Sequence, residues 1–108
     1  MVKKARVGFN YKGRKIFLEA RLMENVNKML GLMVYEDILL FRFSRGRRAI
    51  HSFFCKPFVA VWFLEGKVIE IRKINSWDAS ISPSRDFDTL IEIPINLENK
   101  ELVNFLTK

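Results

Sequence analysis

The sequence predicts a small, mainly β domain spanning residues 1–108, with antiparallel strands that form a barrel-like or strongly curved sheet. Residues 58–64 are an uninterrupted apolar run, and residues 68–74 alternate apolar and polar side chains. Glu65, Gly66 and Lys67 separate the two runs, and a glycine there suits a tight reversal. We therefore predict a hairpin whose first strand is central in the sheet, because that strand is apolar on both faces.

An earlier hairpin is predicted near the start of the chain. Residues 5–9 alternate short apolar and polar side chains, and residues 10–13 (Asn-Tyr-Lys-Gly) provide turn chemistry. Residues 14–22 have the pattern of the returning strand, in which Ile16 and Phe17 lie on opposite faces.

Two short helices are predicted, one after the first hairpin and one at the C-terminal end. Apolar side chains recur at i, i+3, i+4 and i+7 across residues 26–33, which is the stripe of an amphipathic helix. Gly31 within it costs roughly 1 kcal/mol relative to Ala. The second helix is predicted to begin at Asn96 or Glu98 and to continue through Phe105.

The remaining pattern predicts three more strands. Residues 38–43 and 49–54 form a second predicted hairpin around a basic turn at residues 44–48. Residues 88–93 form the last predicted strand, which ends at Pro94 because proline has no donor for the ladder.

The whole chain has a net charge of +7, and the positive charge is concentrated in its first half. Residues 1–56 contain thirteen Lys or Arg residues and four acidic residues, whereas residues 57–108 contain six and eight. Such asymmetry indicates either a polyanion-binding face or a well-solvated surface, and both alternatives remain open at this point.

The composition predicts a cytoplasmic protein with no membrane partner. Cys55 is the single cysteine and cannot form an internal disulfide, which suits a reducing compartment. The N-terminus lacks the apolar region of a signal peptide, and the run at residues 58–64 is too short to cross a bilayer. The pattern does not determine the oligomeric state.

Several short segments, taken in their order and spacing, resemble the family called domain of unknown function 192. The resemblance runs from about residue 21 to residue 94, and no single segment is specific. It implies a compact, largely β domain and brings no established activity. The segments that carry it are residues 31–33 (Gly-Leu-Met), 40–43 (Leu-Phe-Arg-Phe), 51–54 (His-Ser-Phe-Phe), 63–64 (Phe-Leu), 67–68 (Lys-Val), Trp77 and 90–94 (Leu-Ile-Glu-Ile-Pro).

The chain departs from the family pattern in the strand that follows residue 56. Members of the family commonly place Pro, then Ile or Leu, then Asp in this strand, whereas here the Pro57-Phe58 order is swapped and Ala60 takes the Asp position. Cys55 takes a Met position, and Ser76 stands where a Pro often precedes the loop Trp. A role that depends on that Asp is therefore not transferred to this chain.

A basic cluster with nearby aromatic residues is the strongest indication of function. Arginine side chains suit phosphate or carboxylate groups, and aromatic rings can stack on bases. RNA-binding signatures are absent, and a solvated charged surface is the alternative interpretation. The predicted ligand-binding residues are Arg42, Arg45, Arg47, Arg48, Lys56 and, in the long loop at residues 75–86, Trp77.

Catalytic residues are weaker candidates. His51 could act as a general base, and Asp86 and Asp88 are spaced to share one face of a strand as a carboxylate pair. The alternative for His51 is a structural role in which a backbone group holds the ring. The alternative for Asp86 and Asp88 is ordinary turn chemistry at the start of a strand, and we favour the structural alternative in each case. Phosphate-loop, zinc-ligand and nucleophile-elbow patterns are absent, so no cofactor and no metal site are predicted.

The sequence therefore predicts a non-enzymatic binding module for an anionic small molecule or nucleic acid. One alternative is a hydrolase-like enzyme that uses His51 with a carboxylate from the loop. The other is a structural or interaction subunit that acts through an exposed strand edge. Salt-dependent binding of a polyanion would distinguish the first class from the others.

Overall fold

The computed structural model describes residues 3–23, 37–47, 56–75 and 80–108. Within these ranges the chain forms one six-stranded sheet in the order β1-β2-β3-β6-β4-β5, followed by one helix. The elements are β1 (Lys4–Tyr11), β2 (Arg14–Met23), β3 (Leu39–Gly46), β4 (Phe58–Leu64), β5 (Lys67–Ile74), β6 (Phe87–Pro94) and α1 (Lys100–Thr107).

One strand pair differs from the predicted antiparallel arrangement. β2 and β3 are parallel, with Arg21 opposite Leu39, whereas the other neighbouring strands are antiparallel. A parallel pair needs a long crossover connection, and residues 24–38 separate these two strands. An ion pair between Arg21 Nη2 and Asp37 Oδ2, 2.8 Å long, fastens the beginning of β3 beside β2.

Both tight hairpins predicted from the sequence are confirmed. The β1–β2 turn places Lys12 and Gly13 at φ of 51° and 74°, and the β4–β5 turn places Glu65 and Gly66 at 52° and 79°. Positive φ at both central residues is the combination that two-residue hairpin turns of type I′ require, and their twist matches that of the strands. Glycine at the second position removes the steric cost of this conformation.

The central position of β4 is also confirmed. β4 lies between β5 and β6, and residues 58–63 are all buried. β6, predicted at residues 88–93, extends one residue further at each end and lies between β3 and β4. Two neighbouring strands are thus buried on both faces, which explains why their sequences are nearly continuous apolar runs.

The sheet curls into a half-barrel, which confirms the prediction of a strongly curved sheet. Phe9 of β1 and Phe63 of β4 have ring centroids 5.1 Å apart, although three strands lie between β1 and β4 in the sheet. The edge strands β1 and β5 also approach each other. Val103 and Leu106 of α1 join this inner core, so the helix fills the concave side.

A second apolar cluster covers the opposite, outer face of the sheet. It includes Trp62, Phe58, Phe87, Leu39 and Leu90, each at most 1% exposed. The Nε1 of Trp62 has no hydrogen-bond partner among the described residues. This outer cluster makes the domain a sheet with two cores rather than one.

The C-terminal helix is confirmed but begins later than predicted, at Lys100. The Asn99 N–H donates to Asn96 Oδ1 (2.9 Å), and Asn99 Nδ2 donates to the Pro94 carbonyl (2.9 Å). These bonds hold residues 96–99 in a turn before the helix starts. The predicted helix at residues 26–33 and the predicted strand at residues 49–54 lie outside the described residues.

In the four described ranges, no helix is both long and apolar enough to span a bilayer.

Trp62 should be the costliest side chain to truncate in the outer cluster, since it is fully buried between Arg72 and Phe87. We expect Trp62→Ala to lower the free energy of unfolding by about 3–5 kcal/mol in chemical denaturation, because it leaves a cavity. The control is Leu97→Ala, which removes a side chain that is 90% exposed and should change stability by about 0.5 kcal/mol or less. Equal losses in the two variants would contradict the central placement of β4.

Candidate functional site

A basic cleft lies where the half-barrel fails to close. Its walls are the end of β1 with the β1–β2 turn, the length of β5, and the last residues of α1 with Lys108. The cleft has a volume of about 820 Å³. It exists because β1 and β5 approach each other without pairing, so their edges remain separate.

Lysine side chains dominate the charge of this cleft. Lys12, Lys67, Lys73 and Lys108 all line it, and three of them come from the β1–β2 turn and from β5. Lys12 Nζ donates to the Lys108 carbonyl (2.6 Å) and lies 5.3 Å from the centroid of the Tyr11 ring. These contacts hold the turn against the end of α1 and set one wall of the cleft.

Glu70 is the one acidic side chain among the described residues that line the cleft, and its charge is already compensated. Burial alone would raise its pKa, but hydrogen bonds from the Ser84 N–H and hydroxyl (each 3.0 Å) and from Arg72 lower the pKa below its ordinary value. Arg72 also forms an ion pair with this carboxylate. Glu70 therefore stays ionised and paired, and the lysines give the cleft its net positive charge.

Among the predicted arginines that the structure describes, Arg42 and Arg45 are exposed on β3 and Arg47 is exposed just beyond it. β3 runs to Gly46 rather than to residue 43, and its register against β6 shifts between Arg42 and Gly46, which places Arg45 in an irregular stretch. Lys56 is exposed just before β4. Arg48 and Trp77 lie outside the described residues, so the assembly of this group into a site stays a prediction.

Arg47 takes part in a polar network that was not predicted from the sequence. Its Nη2 donates to the Ser84 carbonyl (2.6 Å), while Arg72 donates to the Ser82 carbonyl (3.2 Å) and Glu70 accepts from Ser84. Three side chains from two strand regions thus hold one short segment, residues 82–84, against the sheet. The sequence signal for this network was the spacing of Glu70 and Arg72, because residues two apart on a strand lie on the same face and can form an ion pair.

Arg72 has a second contact within the same network. Its guanidinium carbon lies 5.4 Å from the centroid of the Trp62 ring, a cation–π geometry. The network therefore lies directly over the outer cluster, and part of its role is to cover that core.

The two candidate catalytic aspartates have different surroundings. Asp86 is exposed immediately before β6, and Asp88 is half-buried within the strand. Asp88 accepts hydrogen bonds from the Glu65 N–H (3.0 Å) and the Thr89 hydroxyl (2.9 Å), which fasten the β4–β5 turn to β6. His51 lies outside the described residues, so its pairing with either carboxylate stays a prediction.

The part of the chain that the structure describes contains no group of three or more His, Cys, Asp or Glu residues placed to hold an ion.

Glu92 is a buried acidic residue in the centre of the sheet. It lies on β6 between Leu39 of β3 and Ala60 of β4, and it is 6% exposed. Burial raises the pKa of its carboxyl to about 8, and no partner among the described residues offsets that effect. The side chain is therefore largely protonated at neutral pH.

Comparison with known proteins gives the fold a precedent. No family model matches the sequence, and no curated protein matches it. The structure is similar to the crystal structure of a protein from Sinorhizobium meliloti 1021 described as a putative transcription regulator, with a TM-score of 0.75 and 19% sequence identity. The match covers 94% of this chain and 88% of the other. The shared feature is the fold, a mainly β half-barrel with a C-terminal helix.

Glu92 should make the stability of the protein depend on pH. Its pKa is raised from an ordinary 4.5 to about 8 in the folded state, so the folded protein binds more protons than the unfolded chain between these values. We expect the free energy of unfolding to fall as the pH rises from about 4.5 to 8, by up to about 1.4 kcal/mol per pH unit, and then to level off.

Denaturation of Glu92→Gln over this pH range provides the test. The variant should lose the decline, whereas Glu98→Gln, which changes an exposed carboxylate, should keep it. A decline of the same size in Glu92→Gln and the parent would show that other groups cause it.

Proposed function

We propose that the protein is a non-enzymatic binding module for a phosphate-bearing anionic ligand, and that the lysine cleft is its contact surface. The observation that carries the proposal is the arrangement of Lys12, Lys67 and Lys73 around one concave space of about 820 Å³. Cationic side chains that line a cleft raise the local concentration of anions more than the same charges on a flat surface.

The chemistry of the cleft suits phosphate better than a single carboxylate. Ammonium groups act as point charges with several donors each, so they contact an extended row of oxygen atoms without a fixed geometry. Glu70 does not oppose such a ligand, because Arg72 and Ser84 already occupy its carboxylate.

The arginine group at the end of β3 is the competing surface. Arg47 donates to the Ser84 carbonyl, and Arg42, Ser44 and Lys56 each have interactions of their own, so part of this surface is already engaged. Lys12 is engaged as well, with the Lys108 carbonyl, but the lysines line one concave space, so we assign the ligand to the cleft and treat the arginine group as the matched comparison. The description of the similar structure as a putative transcription regulator agrees with an anionic partner.

We also propose that the chain is a divergent member of the domain of unknown function 192 family and is cytoplasmic. The segments that carry the resemblance support the first proposal, since residues 40–43 and 90–94 lie on the paired strands β3 and β6, and residues 63–64 and 67–68 flank one turn. A different strand order in a solved family member would contradict it. The single cysteine supports the second proposal, and cell fractionation tests it.

Removal of the cleft lysines should weaken polyanion binding. We expect the parent protein to bind fluorescently labelled inorganic polyphosphate at low salt, with log affinity falling linearly against log salt by about 0.7 per neutralised phosphate. The triple variant Lys12→Gln/Lys67→Gln/Lys73→Gln should bind more weakly and show a slope shallower by about 2, measured by fluorescence anisotropy at several salt concentrations.

The matched control is Arg42→Gln/Arg45→Gln/Lys56→Gln, which removes the same charge from the competing surface. This variant should keep most of the affinity, and melting temperatures of both variants verify that they fold. A loss confined to the control would move the site to the arginine group. No binding by the parent at low salt, or full binding by both variants, would leave the positive charge as a solvated surface.

A further inference from the structure

We propose that the exposed ring of Phe17 is a stacking platform for a nucleobase, so that the ligand of the cleft is a single-stranded nucleic acid. This inference rests on the proposed function, because the cleft supplies the phosphate contacts. Phe17 is 63% exposed on the outer face of the β1–β2 hairpin, and no other aromatic side chain in the described ranges is comparably exposed.

The ring is held in place by a glycine on the neighbouring strand. Gly8 lies opposite Phe17, and a Cβ at Gly8 would come within 3.0 Å of the Phe17 Cε1 atom. The absent side chain therefore lets the ring lie against the β1 backbone. A platform fixed in this way loses little conformational freedom when a base stacks on it.

The surroundings of the ring are positively charged. Lys15 Nζ lies 5.4 Å from the ring centroid, and Arg6 and Glu19 line a depression of about 430 Å³ beside it. Glu19 has its own cationic partner in Lys4 (3.5 Å), so Arg6 and Lys15 determine the local charge. An aromatic ring between cations is the pattern that binds single strands, because bases stack while phosphates pair with the cations.

The platform continues into the lysine cleft. Asn10 lines the cleft and pairs with Lys15 across the hairpin, and Lys15 lies over the Phe17 ring. A strand whose phosphates contact Lys12 and β5 can therefore continue over Asn10. Its next phosphate would draw the Lys15 ammonium off the ring, so that a base stacks on Phe17 in its place. A free phosphate or polyphosphate would use the cleft and leave the ring unoccupied.

A second explanation for the ring is purely structural. An aromatic side chain placed over a glycine shields the β1 backbone from water and strengthens the hairpin. Under that explanation, changes at Phe17 would alter stability alone. A third occupant, a second copy of the chain packed on the exposed ring, would instead make the protein dimerise.

The test compares two probes on two variants. Phe17→Leu should bind a labelled single-stranded oligonucleotide roughly 5- to 100-fold more weakly than the parent, with an unchanged salt slope, and should bind polyphosphate as the parent does. Phe17→Trp should keep oligonucleotide affinity, and its added indole fluorescence, read as the difference from the parent, should be quenched by the oligonucleotide and not by polyphosphate.

The outcomes separate this inference from the proposed function. Equal oligonucleotide affinity in Phe17→Leu and the parent, or quenching absent in a folded Phe17→Trp variant, overturns the platform while polyphosphate binding in the cleft stands. Concentration-dependent dimerisation that Phe17→Leu abolishes assigns the ring to a second copy and also overturns it. Loss of polyphosphate binding from the parent is a failure of the cleft itself.

Discussion

The insertion of β6 between β3 and β4 is the constraint on which the rest of the structure depends. Leu90 pairs with Phe41 on one side and Trp62 on the other, while Ile91 contributes to the inner core. Among the described strands, β6 is the hydrogen-bonded link between β1-β2-β3 and β4-β5. β6 is buried because the inner core covers one of its faces and the outer cluster the other, and the same burial raises the pKa of Glu92.

The incomplete closure of the sheet determines where function can reside. Among the described strands, β1 and β5 each pair on one side only, and such sheet edges are a risk for association with other strands. Lysine side chains on such edges oppose that association. Lys67 and Lys73 of β5 therefore serve the fold as well as the cleft, and the same charges that protect the edge attract an anion.

The local parts of the fold could be predicted from the sequence and the long-range parts could not. Both hairpins were predictable because period-two patterns and the turn glycines act over a few residues, and the same alternation placed Phe17 on the face opposite Ile16. The parallel β2–β3 pair and the place of β6 depend on contacts between distant residues. The cleft was missed because Lys12 is far in sequence from Lys67 and Lys73, whereas the arginines between residues 42 and 48 form a visible run.

The strand order also affects how the chain is made. Translation proceeds from the N-terminus, so β3 and β4 leave the ribosome well before β6, the strand that connects them. Until residue 94 has been synthesised, the nascent chain can form its two hairpins, but Leu40, Phe41, Val61 and Trp62 lack β6, the strand that pairs with them on their other side. Non-local pairing of this kind folds slowly and leaves apolar strands open to aggregation for longer. The helix that follows β6 then closes the inner core.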